Sequence, residues 1–388
     1  MTPHACPPGL TRQVPLDAAL GAGTWAPPGV AAARCADAAR LRGDPLAASA
    51  VRYSRFLLLE VPGPWGTSAL AGKHMEAGVA AGLAAAAAAA GTHVLLIRRH
   101  GRRPQDGPGG GNGGNGPKAW AIADTSAGAE RVLWGTWSEP ADLLALDLSA
   151  PLPDAASATG PQRLALVCTN GKRDQCCALR GRPVAGAIAA AADWDTWECS
   201  HLGGHRFAAT MMLLPTGDMF GWLDEESALE VTRRFDAGQL VLSHYRGRCG
   251  QPEHVQAALH AAAVRLGDSR RGVIRVSRVR PLPAGGDGGA QEDGGAPGRA
   301  PGDAGRWEVE VIHQARHAPE AAYRVVVAGA VTSPAFLSCA DGLPKADTRY
   351  EAIAFTRVPG IAPAPGDAHN IFVTRDSGRP SGAMITDV

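Results

Sequence analysis

Two short stretches of the sequence contain a large share of the side chains that could bind a metal or react as thiols. They are "CTNGKRDQCCALRGRP", residues 168–183, and "WECSHLGGHRFA", residues 197–208. In a chain with eight cysteines and twelve histidines, they hold Cys168, Cys176, Cys177, Cys199, His201 and His205. Thiolate sulfur and imidazole nitrogen are the ligands of zinc and of iron–sulfur centres. The pattern therefore indicates a metal centre or a redox-active thiol.

The spacing of these residues predicts two ligand loops. Cys168 lies where the buried strand "RLALVC" ends, and Cys177, with eight residues between, lies just before a predicted helix. His201 and His205 follow the strand "TWECSH", and the glycine pair between them disfavours a helix there. Two loops at the ends of neighbouring strands can converge on one site.

Two cysteines and two histidines suit either Zn²⁺ or a [2Fe–2S] cluster. A nucleic-acid-binding zinc finger matches poorly, because its cysteines are closely spaced and its histidines lie on a helix. A structural zinc site with a binding role remains an alternative. A thiol-dependent oxidoreductase with Cys176 or Cys177 as nucleophile is a third, although "QCCA" lacks the Cys-x-x-Cys arrangement.

The two stretches, continued by "ATMMLLPTGDMFGWLD", resemble the sucrase/ferredoxin-like family, also described as thioredoxin-like [2Fe–2S] ferredoxins of the Apd1 type. The resemblance covers roughly residues 30–260, with weaker similarity in "LSCADGLP". It implies a [2Fe–2S] cluster bound through Cys-x8-Cys and His-x-Gly-Gly-His, here Cys168, Cys177, His201 and His205. Cys176 stands beside Cys177 as a possible substitute ligand.

The implied function is electron transfer, with a redox partner such as a reductase and no substrate of the protein's own. Rieske centres, which are also ligated by two histidines, have potentials of about −150 to +300 mV, against about −400 mV for plant-type clusters. Imidazole ligands can take up a proton on reduction, so we expect electron transfer to be coupled to protonation. Lys172, Arg173 and Arg206 lie beside the ligands, where they could raise the potential or dock an acidic partner, or could simply be solvated loop charges.

Strand and helix patterns predict an α/β fold, in which a thioredoxin-like ferredoxin domain is preceded by a related α/β domain and followed by an α+β extension. The order strand–helix–strand–strand–strand–helix recurs in residues 51–160 and 161–250, which indicates two domains of similar architecture. The predicted segments are an N-terminal segment 1–50, an α/β domain without ligands 51–160, the [2Fe–2S] domain 161–250, an α+β region 251–358 with a disordered insert 284–305, and a flexible tail 359–388.

Composition excludes several other classes. The formal net charge of +1, without blocks of like charge, gives no indication of a nucleic-acid partner. The longest apolar stretch, residues 77–97, is mostly alanine and is interrupted by His93, so we expect no membrane span. The N-terminus shows no secretory signal pattern, which predicts a cytoplasmic protein with reduced thiols. Four cysteines have no partner by spacing, and we expect them to be structural or surface thiols. They are Cys6, Cys35, Cys249 and Cys339.

Overall fold

The structure is a computed structural model that describes residues 34–70, 75–101, 116–153, 160–283 and 303–359. These residues form two β-sheets with helices packed against them. The strands of the first sheet are β1 (Arg55–Glu60), β2 (Thr92–Arg99), β3 (Lys118–Asp124), β4 (Arg131–Trp137), β5 (Leu164–Cys168), β6 (Asp195–Cys199), β7 (Met211–Leu214), β8 (Asp218–Phe220) and β9 (Tyr245–Arg248). The second sheet contains β10 (Ile274–Leu282), β11 (Asp303–His313), β12 (Ala321–Val331) and β13 (Thr348–Arg357). The helices are α1 (Cys35–Arg42), α2 (Ala77–Ala89), α3 (Gln175–Ala191), α4 (Glu225–Asp236) and α5 (Glu253–Leu266), with 3₁₀ helices at Pro140–Ala145 and His205–Phe207.

The first sheet contains the same arrangement of strands twice. Its order is β4-β3-β1-β2-β6-β5-β7-β8-β9. In the first half, β1 pairs parallel with β2 and antiparallel with β3, which pairs antiparallel with β4. In the second half, β5 pairs in the same way with β6 and β7, and β7 with β8. The halves meet where β2 and β6 pair antiparallel, so one continuous sheet crosses the predicted boundary at residue 160.

Successive side chains of each strand point to opposite faces of this sheet, so an apolar layer lies on each face. On one face, Leu57 and Leu59 of β1 pack with Leu83 of α2. Further along the same face, strand β5 packs against helices α3 and α4 through Val167 and its neighbours. The opposite face carries a second apolar layer, which runs across both halves and includes Cys168. Helices α2, α3 and α4 thus lie on one face, and α3 begins near the end of β5.

The mixed α/β character predicted from the sequence is confirmed, and the α+β extension is helix α5 packed on an antiparallel sheet. Helix α1 was not predicted, and neither were β9 and β13. The stretch "EPADLLALDL" contains only the short 3₁₀ helix Pro140–Ala145. Most of the predicted insert 284–305 lies outside the described residues, as do most of the segment 1–50 and of the tail 359–388. Residues 303–305 belong to strand β11 and not to the insert. Division into separate domains remains a prediction.

Helix α3 begins at Gln175, before Cys177 and not after it as the sequence predicted. Asp174 caps it, because its carboxylate accepts a hydrogen bond of 2.8 Å from the backbone N–H of Cys176. Cys176 and Cys177 therefore lie in the first turn of the helix, which corrects their predicted position just before it. Among the described residues, no helix has both the length and the apolar character that a membrane crossing requires.

A glycine in α3 sets the distance between this helix and strand β5. A Cβ atom added at Gly181 would lie 2.1 Å from the backbone oxygen of Cys168. We expect Gly181→Ala to destabilise the protein by about 3 kcal/mol, because a helix that meets backbone has to shift as a whole. Urea unfolding of both variants would measure this. The matched control is Gly186→Ala on the same helix, whose Cβ meets the movable ring of His100 at 3.0 Å. Equal effects of the two substitutions would contradict the prediction.

Candidate metal centre

Three of the four predicted ligands converge at one edge of the sheet. Cys168 ends β5, Cys177 lies in the first turn of α3, and His201 follows β6. Because β5 and β6 are parallel neighbours, with Cys168 in register with Cys199, their carboxyl ends meet at this edge. One donor atom each from Cys168, Cys177 and His201 lies within 4.8 Å of the others. The Sγ atom of Cys168 is 3.9 Å from Nδ1 of His201.

His205 lies next to this group and not within it. Its ring stacks on that of His201, with the centroids 5.0 Å apart and the planes inclined by 26°. Within the described part of the chain, the buried Nδ1 atom of His205 has no hydrogen-bond partner. Burial, together with His201, lowers the pKa of His205 to about 4, so the ring is neutral at physiological pH. A neutral imidazole with an unpaired buried nitrogen is the form in which histidine binds a metal.

The thiols of Cys168 and Cys177 shift each other's pKa in opposite directions. The hydrogen bond with Cys177 lowers the pKa of Cys168 against the opposing effect of burial, and His201 lowers it further. The same hydrogen bond, together with burial, raises the pKa of Cys177. Cys168 is thus the more readily deprotonated of the two thiols, whereas Cys177 keeps its proton more tightly. A metal ion could take the place of that proton, since metals bind the deprotonated form of both thiols.

The neighbouring cysteines Cys176 and Cys177 point to different places. Cys177 joins Cys168 and His201, whereas Cys176 lies in a separate group with Cys35, Asp174 and Cys339. Successive side chains on a helix are about 100° apart, which sends the two thiols in different directions. The geometry therefore favours Cys177 over Cys176 as the partner of Cys168, and their roles as ligands remain a prediction.

The other cysteines have different surroundings. Cys199 is buried in β6, where burial and the nearby Cys168 raise its pKa, and it belongs to neither group. Cys249 is also buried, and its sulfur lies 3.3 Å from the hydroxyl of Thr125. Cys35 and Cys339, expected to be structural or surface thiols without a partner by spacing, contact one another and Cys176. Cys6 lies outside the described residues.

Comparison with known proteins identifies the family. The model of the sucrase/ferredoxin-like family matches residues 46–247, just over half of the chain. The chain belongs to the sucrase/ferredoxin-like family. Searches of curated proteins and of solved structures gave no match. The region that matches the family contains all four predicted ligands, as well as Asp174 and Cys176, but neither Cys35 nor Cys339.

A buried arginine, which sequence reasoning did not single out, holds the His-x-Gly-Gly-His loop of this family member. Arg246 of β9 is 1% exposed, and it donates to the backbone oxygen of Gly203 and to the hydroxyl of Ser49, each at 3.0 Å. Gly204 has a φ of +68°, and a Cβ there would lie 2.5 Å from Nη2 of Arg246. The second glycine of the loop therefore allows both the backbone conformation and the close approach of Arg246.

Glu198 is a second group that sequence reasoning missed, because a single charge in a strand gives no distinctive pattern. It is 4% exposed, and it accepts hydrogen bonds from Arg98 at 2.7 and 2.9 Å and from Thr169 at 2.8 Å. His100 lies 2.9 Å from its other oxygen. Burial alone would raise the pKa of Glu198. The hydrogen bonds from Arg98, Thr169 and His100, together with the positive charge of Arg98, lower this pKa below its usual value. Glu198 thus anchors Thr169, the residue after Cys168.

The three cations near the predicted ligands differ in their contacts. Arg206 forms ion pairs with Asp347 and, at 3.6 Å, with Asp44. It therefore joins the segment after α1 and the segment before β13 to the 3₁₀ helix that contains His205. Lys172 is exposed and Arg173 is half-buried. These two side chains, unlike Arg206, are available at the surface of the loop.

We expect Glu198→Gln to lower the free energy of unfolding by about 2 kcal/mol at pH 7, because the largely buried Arg98 loses its counter-charge. A carboxylate with a lowered pKa stabilises the fold above its unfolded pKa and loses this contribution as it is protonated. The difference from the wild type should therefore shrink as the pH falls below about 4.3. Urea unfolding at several pH values measures it. The control is Glu230→Gln, which removes an exposed partner of Arg233 and Arg234. A pH-independent loss would contradict this account.

Proposed function

We propose that this protein is a cytoplasmic electron carrier whose [2Fe–2S] cluster is bound by Cys168, Cys177, His201 and His205. The observation that carries the proposal is the meeting of two thiols and one imidazole at the end of parallel strands, with a second imidazole stacked beside them. The unpaired buried nitrogen of His205 supports its role as the fourth ligand. When bound, such a cluster takes up and gives back one electron.

The donor set fits a cluster with mixed ligands. Cys168 and Cys177 share a hydrogen bond and suit one iron, and the stacked imidazoles of His201 and His205 suit the other, as histidines replace two cysteines on one iron in Rieske centres. Cys168 and Cys177 are 1% exposed and belong to the apolar layer of the sheet, which keeps water from the sulfurs. His201 is half-buried and offers the path for electrons to the surface.

Two features of the chain would affect the redox potential of this centre and the binding of its redox partner. The buried guanidinium of Arg246 interacts electrostatically with Cys168 and Cys177, and its hydrogen bonds in the described region go to Ser49 and Gly203 and not to a carboxylate. Its positive charge would favour the reduced, more negative state of the site. Lys172 and Arg173 give the loop a basic surface, to which an acidic redox partner such as a reductase would dock.

A single zinc ion at the same residues is the second candidate. The observation in its favour is compactness, since one donor atom each from Cys168, Cys177 and His201 fits within 4.8 Å. Visible absorption separates the two, because Zn²⁺ is d¹⁰ and colourless.

Anaerobically purified protein should be red-brown, with about two irons and two acid-labile sulfides per chain. A colourless protein with zinc and no sulfide would end the electron-transfer proposal. Thiol chemistry that survives loss of both histidines would support a thiol-dependent oxidoreductase instead.

The adjacent cysteines provide a matched pair of variants. We expect Cys177→Ala to abolish the visible spectrum and at least nine-tenths of the bound iron, because it removes a thiolate ligand. Cys176→Ala should keep both, since its sulfur belongs to the other group. Iron and sulfide analysis with absorption spectra of both variants provides the measurement. Loss of the cluster in Cys176→Ala alone would reverse the assignment of the ligand.

The histidine ligands predict a midpoint potential that falls as the pH rises. His201 and His205 would each keep one ring nitrogen free to hold a proton, and an imidazole holds it more tightly when an electron is added nearby. One proton taken up per electron corresponds to about 59 mV per pH unit. Redox titration from pH 6 to 9 measures the slope. His205→Cys is the comparison variant, with a lower potential and a flatter profile expected. A wild-type potential independent of pH would refute the coupling.

A further inference from the structure

A second group of potential ligands lies behind the first turn of α3. Its sulfurs form a nearly equilateral triangle, with 3.6 Å between Cys35 and Cys176, 3.5 Å between Cys176 and Cys339, and 3.5 Å between Cys339 and Cys35. The carboxylate oxygens of Asp174 lie 3.5 and 3.6 Å from the sulfur of Cys35. One ligand atom from each of the four residues lies within 4.8 Å of all the others.

These distances match tetrahedral coordination of one ion. Sulfurs bound to zinc at about 2.3 Å lie about 3.8 Å from one another, and a carboxylate oxygen at about 2.0 Å from zinc lies about 3.5 Å from each sulfur. Thiolates of an iron–sulfur cluster are divided among several irons, whereas three sulfurs this close could all bind a single ion. They are also much farther apart than the roughly 2.0 Å of a disulfide bond, and all three cysteines are free.

The carboxylate of Asp174 is held in place for a role as the fourth ligand. Its Oδ2 atom accepts hydrogen bonds from the backbone N–H of Cys339 at 2.7 Å and from the hydroxyl of Ser338 at 2.9 Å. Its Oδ1 atom accepts one from the backbone N–H of Cys176 at 2.8 Å, which leaves acceptor capacity on that oxygen. Hydrogen bonds of this kind orient the ligands of metal sites.

We propose that Cys35, Cys176, Cys339 and Asp174 bind one Zn²⁺ ion, at a site separate from that of Cys168 and Cys177. Three thiolates with a carboxylate form a soft, closed tetrahedral set of the kind that structural zinc prefers. Binding deprotonates whichever of the three thiols still carry a proton, and these protons pass to solvent. Cys339, the one exposed member of the group, gives the ion a path of entry.

The role that this site supports is a cross-link between distant parts of the chain. Cys35 begins α1, Cys176 lies in the first turn of α3, and Cys339 lies in the segment between β12 and β13. Cys35 and Cys339 are separated by 304 positions in the sequence, and both lie outside the region that matches the family. Zinc would thus join the C-terminal region to the domain with the proposed cluster, and binding would add to the stability of the folded chain.

The test is zinc analysis of the full-length protein after equilibration with Zn²⁺ and removal of free ions by gel filtration. Cys339→Ser is the main variant, because its side chain is exposed and the substitution leaves the packing intact. We expect it to hold about one zinc fewer per chain than the wild type, with iron and sulfide unchanged. Cys35→Ser should give the same result. Cys249→Ser, a buried cysteine outside both groups, is the matched control and should keep the wild-type zinc content.

The two proposals can fail independently. Cys177→Ala should keep the zinc even though it loses the iron, and Cys339→Ser should keep the iron. Added Zn²⁺ should raise the melting temperature of the wild type and of Cys249→Ser, but not that of Cys339→Ser. Equal zinc content and equal melting temperatures for the wild type, Cys339→Ser and Cys35→Ser would overturn the proposal. Alkylation of Cys339 at the same rate with and without Zn²⁺ would overturn it as well.

Discussion

The arrangement around both groups of potential ligands depends on the carboxylate of Asp174. Asp174 caps α3 through the N–H of Cys176 and so decides where the helix begins. A helix that began later would leave Cys176 and Cys177 in a loop, without the fixed angle that separates them. The same carboxylate binds Ser338 and Cys339 and thereby fixes the segment between β12 and β13. A single side chain thus determines the direction of two thiols and the position of a third.

The repeated topology places this chemistry in only one half of the sheet. In the second half, β5 ends with Cys168 and is followed by the loop to α3; the corresponding strand β1 ends with Glu60 and is followed by a loop without cysteine. Because β2 and β6 are antiparallel, the carboxyl ends of β1 and β2 lie at the opposite edge from the ligands. The first half contributes to the site by another route, through Arg98 of β2, which binds Glu198.

Most of the strands and their order along the chain were accessible from the sequence, because short apolar runs such as "FLLLE" and "LALVC" are typical of buried strands, whereas β9 and β13 were not predicted. The convergence of Cys168, Cys177 and His201 was accessible too, since strand ends determine it. The start of α3 was not predicted, because Pro183 and the arginines around it resemble a loop, although Asp174 is a favoured helix cap. Hydrogen bonds between residues far apart in the sequence, such as those of Arg246 and Glu198, give no local sequence pattern from which they could be predicted.

The contact between Cys35 and Cys339 shows why spacing fails for the second group. Metal ligands are recognised in a sequence when two of them share a turn or a strand end. Here the three thiols come from three segments, and Cys176, the only one near other cysteines, stands beside Cys177 and was considered as its substitute. The paired cysteines are better understood as one turn of helix that serves two groups. The first turn of α3 fixes the position of Cys177, as the proposed cluster, whose ligands come from separate loops, would require. The two proposed sites together would therefore depend on residues beyond 46–247, in α1 and in the segment that carries Cys339.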